Sequence, residues 1–392
     1  MLSVVEALEV IRGASPRVRT SQQPLDWTLS GRVLAADVFA AVSLPPFATS
    51  AMDGYAVHAA DLGGAPVPIA FRVAAGDPPG RLPAGSSAGI ATGAPLPEGA
   101  DAVVPIEDAR EQDGLIAERP AVGACIRPAG GDIAAGGLVA AAGTPLSPAV
   151  LAALAASGCD RVTVADRPRV AVLATGSELV APGQPLEPGQ IYESNATALA
   201  AQAARAGAEP ISSGVVPDDP AATERAFAGA IAAADVVVST GGVSVGPHDH
   251  VKPAMEALGV RELFWRVAHK PGKPLWFGAA PSGALVFGLP GNPVSSLVCF
   301  ELFVRAALDT MTGARPRPLP VARLATPVRR LRRRDHAVRC NLEPGDDGMW
   351  LHPQDAQESH MIAHAASADA LAMVAAGDGD AAAGDLVPYL VI

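Results

Sequence analysis

The sequence is poor in aromatic residues and cysteine, and it has no long apolar run. Aromatic side chains are 4% of its 392 residues, so small aliphatic side chains must fill its cores. No apolar run reaches the ~18 residues that a transmembrane helix needs, so we expect no membrane span. The four cysteines form no Cys-x-x-Cys pair, which disfavours zinc and iron–sulfur sites and suits a reducing compartment. They are Cys125, Cys159, Cys299 and Cys340.

Positive charge is also in deficit. The formal net charge is −11, so we do not expect nucleic acid as a partner. The N-terminus carries Glu6 and Glu9 where a secretory signal requires bases, and we therefore expect a cytoplasmic protein. One arginine-rich stretch departs from this balance and could face an anion, but we interpret most of it as a solvated strand and turn. It contains Arg329, Arg330, Arg332, Arg333 and Arg334.

The length and texture of the chain predict an α/β multidomain protein. Residues 1–40 and 136–166 look helical, and residues 41–135 contain a small β module inserted between them. Residues 167–312 alternate strands and helices, which predicts a central, mostly parallel sheet with helices on both faces. Residues 315–392 open with an Arg-Pro-Arg-Pro linker and predict a C-terminal β-barrel.

Three segments between residues 239 and 293 are rich in groups that bind oxyanions. They read Ser-Thr-Gly-Gly-Val-Ser-Val-Gly-Pro-His-Asp from Ser239, Lys-Pro-Gly-Lys-Pro from Lys270, and Leu-Pro-Gly-Asn-Pro from Leu289. A strand that ends in glycines and small hydroxyls exposes backbone N–H groups that can cradle phosphate. The two lysines, Lys270 and Lys273, favour an anion site, although two surface lysines would be the commoner explanation. We include in this site Gly241, Gly242, Ser244, Pro290, Asn292, Pro293 and Ser295, the last four of which open a helix.

Acidic residues follow three successive strands of the predicted sheet. They are Glu178, Asp218 and Asp249, and together they could hold Mg²⁺, which takes one or two carboxylates plus phosphate and water. Capping of the next helix would explain Asp218 or its neighbour Asp219 almost as well, and Glu178 could be a solvated turn residue. The histidines His248, His250 and His269 match no known metal-ligand frame.

These segments, in this order, resemble the molybdopterin molybdenumtransferase family, called MoeA in bacteria and the gephyrin E domain in animals. Two upstream segments agree: the signature-like loop Pro45–Ala56 and the segment Thr92–Asp101. The resemblance implies a central domain of the molybdopterin-binding type. It also implies a transferase that inserts molybdate into adenylylated molybdopterin, with release of AMP, and that requires Mg²⁺.

Several residue roles follow from the resemblance alone. It implies that Asp53 is functional and reaches the active site of a neighbouring subunit, so the protein would be a homodimer with a shared site. The N-terminal region would then serve in dimerisation. Weaker transfers give substrate-binding roles to Thr92, Asp132, Arg339 and Ser359. Two departures from the family pattern are Thr49, where asparagine is usual, and the segment Gln357–His360, where two glycines are replaced.

The resemblance also implies partners and leaves rivals. We expect contacts with other cofactor-synthesis proteins and with apo-molybdoenzymes. The sister adenylyltransferase expects Thr-Gly-Gly-Thr-Gly, whereas Gly241 and Gly242 precede Val-Ser-Val here. A non-catalytic scaffold is the rival from another class, and the intact acids and lysines argue against it.

Overall fold

The computed structural model describes residues 1–242, 250–316 and 318–392, with the side chain of Ser213 left out. The described chain divides into two compact units. Unit 1 comprises Met1–Ser21, Gly31–Ala35 and Val164–Ile392, and unit 2 comprises Gln22–Ser30 and Ala36–Thr163. Among the described residues, no helix is long and apolar enough to cross a membrane.

The first 165 residues are mostly strands and loops. The helices are α1 (Val4–Ala14) and α2 (Pro148–Ala156), with three short 3₁₀ turns at Trp27–Leu29, Ala59–Asp61 and Ile106–Asp108. The strands are β1 (Thr20–Pro24), β2 (Val38–Phe39), β3 (Thr49–Ser50), β4 (Gly54–Val57), β5 (Ile69–Val73), β6 (Ser87–Ile90), β7 (Ala102–Pro105), β8 (Ala109–Glu111), β9 (Leu115–Ala117), β10 (Ile126–Arg127), β11 (Leu138–Ala140) and β12 (Arg161–Ala165).

The expected helical N-terminal region is therefore wrong in large part. Only α1 and α2 are helical, and strands or loops form the rest of residues 1–40 and 136–166. Both helices have a side-chain cap at the N-terminus, because Ser3 forms a capping box with Glu6 and Ser147 accepts from the Val150 N–H. Gly- and Pro-rich sequence between them offers no helical periodicity. Within unit 2, the predicted β module includes the four-stranded sheet β5-β6-β4-β7.

The central sheet of unit 1 has the order β16-β13-β17-β21-β20-β18. Its first four strands are parallel to one another. β20 is antiparallel to β21, and β18 is antiparallel to β20. The elements of this region are β13 (Arg169–Thr175), β14 (Leu179–Val180), β15 (Ile191–Tyr192), α3 (Asn195–Arg205), β16 (Glu209–Val216), α4 (Pro220–Ala233), β17 (Val236–Thr240), α5 (Val251–Ala257), β18 (Arg261–Trp265), β19 (His269–Lys270), β20 (Trp276–Ala279), β21 (Leu285–Leu289), α6 (Pro293–Cys299), a π-helical turn (Phe300–Val304) and α7 (Arg305–Thr312).

Alternate residues of β13 enter two different cores, so helices cover both faces of the sheet. Val170 and Val172 pack in a core that includes residues of α1, α3 and α7. Ala171 and Leu173 pack in a second core that includes residues of α4 and α5. Such double burial is why the strands read as continuous apolar runs rather than as alternating ones.

The C-terminal region of unit 1 forms the expected barrel. Its elements are β22 (Val321–Leu324), β23 (Val328–Arg329), β24 (Asp335–Gly345), β25 (Gly348–Pro353), α8 (Ile362–Ala365), β26 (Ala370–Val374), β27 (Asp380–Ala381) and β28 (Leu386–Val391). The order β24-β25-β22-β28-β26 closes because β24 also pairs with β26. The short strand β19 adds to β24 in parallel, with His269 opposite Asp335 and Lys270 opposite His336. The barrel thereby holds the lysine segment.

Candidate oxyanion and nucleotide site

Two adjoining cavities lie in unit 1. Cavity 1 has a volume of about 700 Å³ and follows the carboxyl ends of β13, β16, β17 and β21. Cavity 2, of about 460 Å³, lies beside the Lys270–Pro274 loop. They share the lining residues Pro274, Pro290, Asn292 and His360. Strand ends in an open α/β sheet are where ligands gather, because backbone N–H groups and helix starts converge there.

Glycine is required in the cradle of cavity 1. Gly241 has a φ of +90°, and a Cβ there would meet the carbonyl oxygen of Thr175 at 2.7 Å. Gly242 also has a positive φ, and its Cβ would meet Val251 at 2.7 Å. The backbone of this turn is therefore bare and lies directly against the neighbouring strand end. Ser244 and Asp249 of the same segment lie outside the described residues.

Two of the three predicted acids line cavity 1. Asp218 Oδ2 accepts from the Ser177 N–H at 3.0 Å, while Ser177 Oγ accepts from the Asp218 N–H at 3.0 Å. The neighbouring Asp219 caps α4, since its Oδ1 accepts from the Ala222 N–H at 2.7 Å. The capping alternative therefore falls on Asp219 and leaves Asp218 facing the cavity. The Glu178 carboxylate lies over Gly176, with Oε2 2.6 Å from the ideal Cβ position of that glycine.

These carboxylates fit Mg²⁺ better than a softer metal. No group of three histidine, cysteine or acidic side chains that could hold a metal occurs in the described part of the chain. Glu178 and Asp218 nevertheless offer hard oxygen donors to one cavity, and Mg²⁺ usually keeps waters and phosphate oxygens as its other ligands.

Sequence reasoning missed Asn195, the first residue of α3. Its Nδ2 donates to Thr240 Oγ1 at 2.9 Å and to the Gly291 carbonyl at 2.8 Å. Thr240 Oγ1 in turn donates to the Pro290 carbonyl at 3.0 Å. One amide thus ties the glycine turn after β17 to the turn after β21. Its place between a strand and a helix of the alternating region was the only signal in the sequence.

Cavity 2 collects cationic side chains. Lys270, Lys273 and Arg334 all line it, together with the Ser295 and Ser359 segments. Ser359 Oγ accepts from Asn292 Nδ2 at 2.9 Å, and its carbonyl accepts from the Val294 N–H at 3.0 Å. The start of α6 and the C-terminal region therefore meet at the cavity. Such a set of ammonium, guanidinium and hydroxyl donors suits a tetrahedral oxyanion.

Arg339 plays a different part from the one expected. It is 2% exposed on β24, and it is not among the described residues that line either cavity. Its guanidinium donates to the carbonyls of Ala356 and Glu358, and Gln357 bonds both its N–H and its carbonyl. Arg339 thus supports the loop that carries Ser359. The cavity-lining arginine is Arg334, which we had interpreted as solvated.

In unit 2, the structure brings Asp53 and Thr92 together. Asp53 Oδ1 accepts from the Thr92 N–H at 2.6 Å and from Thr92 Oγ1 at 2.9 Å. These bonds, the backbone one first, lower the pKa of Asp53. The next residue, Gly54, must be glycine, because a Cβ there would collide with the Val104 carbonyl oxygen on β7. Asp132 is exposed, and its N–H donates to the Leu44 carbonyl at 2.9 Å.

Two histidines are buried beside the cationic cavity. His269 Nδ1 donates to the Pro271 carbonyl at 2.6 Å. Within the described part of the chain, His269 Nε2 and His336 Nδ1 are buried without a hydrogen-bond partner. Burial lowers the pKa of His269 to about 4. Burial and then the charge of Lys270 lower the pKa of His336 to about 4. Both imidazoles are therefore neutral at pH 7.

We expect these histidines to make the fold acid-sensitive. The unfolded chain takes up protons below pH 6.5, whereas the folded chain resists until about pH 4, so stability falls as pH drops through this window. His336→Phe should remove on the order of 1–2 kcal/mol of the stability difference between pH 7 and pH 5. Urea denaturation at both pH values measures it. His352→Phe, at a partly exposed histidine of β25, is the control, and an equal loss of stability on acidification in both variants would contradict the prediction.

The fold and the cavities together define a multidomain protein with an α/β region that carries two adjoining cavities and with a C-terminal barrel. Family models match nearly the whole chain: MoeA N-terminal region (domain I and II) at residues 2–158, "probable molybdopterin binding domain" at 171–310, and MoeA C-terminal region (domain IV) at 321–392. The chain belongs to the MoeA family.

Individual relatives agree. The chain is 40% identical over 328 residues to the molybdopterin molybdenumtransferase of a Nostoc strain, which covers 80% of this chain and 75% of the relative. It is 41% identical over 327 residues to molybdopterin molybdenumtransferase 2 of Mycobacterium tuberculosis, covering 80% of each. A crystal structure of a molybdopterin biosynthesis MoeA protein from Pyrococcus horikoshii has a TM-score of 0.78 and 32% identity, covering 100% of this chain and 99% of that one.

Proposed function

We propose that this protein is a molybdopterin molybdenumtransferase that inserts molybdate into adenylylated molybdopterin. One molybdate oxygen would leave as water with the protons of the two thiols, and the dithiolene sulfurs would replace it on molybdenum. Hydrolysis of the pyrophosphate bond would release AMP and the cofactor. The observation that carries this proposal is the pairing of an acidic, glycine-lined cavity with an adjoining cationic one.

The charges of the two cavities support a division of labour. Lys270, Lys273 and Arg334 would hold molybdate, since all three line cavity 2 and each can donate to an oxyanion. Ser295 and Ser359 would add hydroxyl donors at the same place. The bare backbone of Gly241 and Gly242, with the segment that contains Ser244, would cradle phosphate in cavity 1. Asn292 and Pro290 line both cavities, and Pro293 lines cavity 1 beside them. The molybdate and the phosphate would therefore meet near these residues.

Glu178 and Asp218 would hold Mg²⁺, with Asp249 as the third carboxylate of the sequence motif. Bound Mg²⁺ would neutralise the charge of the pyrophosphate. Ser177 orients Asp218 through two hydrogen bonds: Ser177 Oγ accepts from the Asp218 N–H, and the Ser177 N–H donates to Asp218 Oδ2. Neither bond involves Asp218 Oδ1.

Asp218→Asn should raise the Mg²⁺ concentration needed for half-maximal activity about tenfold, because an amide is a weaker ligand that retains the shape of the carboxylate. A Mg²⁺ titration of AMP release measures the change. Asp219→Asn is the matched control, since asparagine also caps helices. An unchanged Mg²⁺ requirement in Asp218→Asn would remove this residue from the metal site.

We also propose a homodimer in which Asp53 completes the site of the partner subunit. Thr92, which holds Asp53 as an anion, would position it, and Asp132 would contribute from the same unit. A cytoplasmic location is proposed with it, since none of the four cysteines is in a disulfide. Other cofactor-synthesis proteins and apo-molybdoenzymes would deliver the pterin and receive the cofactor.

Coexpression of two impaired chains tests the shared site. Asp53→Asn and Lys273→Ala chains should each retain at most about a tenth of the activity alone. The coexpressed mixture should recover about a quarter of the wild-type rate, because half of the dimers are mixed and each of those has one intact site. Separately tagged chains allow the mixed dimer to be purified. A mixed dimer as inactive as either parent would show that Asp53 acts within its own chain or not at all.

The decisive experiment is single-turnover release of AMP from adenylylated molybdopterin with Mg²⁺, with and without molybdate. Molybdate-dependent release, with a product that activates an apo-molybdoenzyme, would support the transferase. Binding of the pterin without AMP release under any metal condition would overturn the proposal in favour of a scaffold or carrier.

A further inference from the structure

Cavity 1 has an apolar wall as well as glycine turns. The wall consists of Leu179, Ile191 and Tyr192, which we call the ring wall, and all three line the cavity. They come from the parallel strand pair β14–β15, with Leu179 opposite Ile191 and Val180 opposite Tyr192. Ile191 and Tyr192 are 55% and 46% exposed, which is unusual for large apolar side chains on a strand.

A hydrogen bond holds the edge of the Tyr192 ring. The Tyr192 hydroxyl donates to the Gln184 carbonyl at 3.0 Å. The strand pair itself is tied at both ends, because the Ile191 N–H donates to the Glu178 carbonyl and the Glu193 N–H donates to the Val180 carbonyl. An anchored aromatic side chain with an open face is a preorganised stacking surface.

The rest of the site lacks an equivalent surface. Among the described residues, cavity 2 is lined by two lysines, Arg334, Glu358, two histidines, small or polar residues and prolines, with no phenylalanine, tyrosine or tryptophan. A ligand that carries both a phosphate and a flat ring would therefore place its phosphate against the glycine turns of cavity 1 and its ring against Tyr192. The Glu178 carbonyl accepts from the Ile191 N–H. The residue that offers a carboxylate to the proposed metal site is therefore tied directly to the ring wall.

We propose that Tyr192, flanked by Leu179 and Ile191, is the stacking platform for a heteroaromatic ring of the substrate, an inference that rests on the proposed function. Adenylylated molybdopterin has two such rings, adenine and pterin, and both present a polarisable face to an aromatic side chain. Stacking would position the pyrophosphate between the glycine turns and the carboxylates. It would add affinity in a cavity whose charged groups alone would also accept a phosphate without a ring.

Direct binding to the purified full chain tests the platform. Calorimetric titration with AMP and, separately, with 6-hydroxymethylpterin should show about 5- to 150-fold weaker binding of the stacked ring by Tyr192→Ala. Tyr192→Phe keeps the ring face and should stay within about threefold of wild type. Inorganic pyrophosphate with Mg²⁺ has no ring, so its affinity should be the same in all three proteins. Loss confined to AMP identifies adenine, and loss confined to the pterin identifies the pterin ring.

Matched controls separate stacking from a fold defect. Leu186→Ala removes an exposed apolar side chain from the loop between β14 and β15 and should leave all three affinities unchanged. Tyr192→Leu keeps apolar volume without an aromatic face and should bind the ring as weakly as Tyr192→Ala. The platform would be overturned if Tyr192→Ala and Tyr192→Leu bound the ring ligands as tightly as the wild type. It would also be overturned if these variants lost as much affinity for pyrophosphate as for the ring ligands. Neither result touches the proposed function, which fails only if the wild type releases no AMP.

Discussion

Lys273→Ala should lower kcat/KM for molybdate by about 10- to 100-fold, because it removes one charge-assisted bond to an oxyanion. Lys273 is exposed and lines the cationic cavity, so its removal takes away charge without disturbing a packed core. Lys270→Ala should lower kcat/KM by a similar factor. The double variant should lose more than either single variant, but less than the product of the two single losses, because both charges act on one anion. Molybdate-dependent AMP release at varied molybdate measures all three.

The loss should be specific to the oxyanion. Lys273→Arg retains a positive charge and should recover part of the activity, although its planar fork differs from an ammonium group. Arg333→Ala is the matched control, because Arg333 is exposed, adjoins Arg334 in the chain and does not line the cavity. AMP affinity should be unchanged throughout. An unchanged kcat/KM in the Lys270→Ala/Lys273→Ala protein would place molybdate elsewhere.

Gly272→Ala should destabilise the protein by roughly 2–6 kcal/mol, the combined cost of backbone strain and overpacking. Gly272 has a φ of +109°, and an added Cβ would collide with the Sγ of Cys299, which is fully buried on α6. The side chain of Cys299 cannot move aside, because its thiol is enclosed in the main core of unit 1. Urea denaturation measures the loss. The lysine loop should be displaced as well, with weaker molybdate binding.

Two variants separate the steric cost from the strain. Gly283→Ala has a similar φ of +89° with nothing within 4 Å of its Cβ, so it should lose only the strain, roughly 1–3 kcal/mol. Adding Cys299→Ala to Gly272→Ala removes the colliding atom and should restore part of the lost stability. If Gly272→Ala costs no more than Gly283→Ala, the close approach to α6 does not restrict this position.

Sequence patterns identified the groups of the site where local chemistry constrains them. Gly241 and Gly242 could be predicted from the sequence because a positive φ admits few other residues. Lys270 and Lys273 could be predicted because prolines and a glycine surround them. The strand–helix alternation also located the carboxyl edge of the sheet, where Glu178 and Asp218 lie. The helical interpretation of the N-terminal region was wrong because short alanine-rich stretches suit both helices and loops.

Roles that depend on packing were legible only in part. Asp218 and Asp219 are adjacent, and the cap of α4 decides between them. Arg334 and Arg339 lie on one segment, yet the pairing of β19 with β24 turns only Arg334 toward the cavity, while the 354–359 loop encloses Arg339. Asn195 acts between two turns that are 45 and 96 residues away in the chain. No local pattern can carry such information.

The sequence by itself determined the family, the alternating α/β region, the C-terminal barrel and the chemical types of the site residues, because these depend on periodicity and on residues with few substitutes. The tertiary structure decided which of those residues share a cavity. The lysine loop joins the barrel through β19, and Ser359 bonds Asn292 across 67 positions of the chain. Such convergence is set by strand register and core packing, which depend on the whole chain rather than on any one segment.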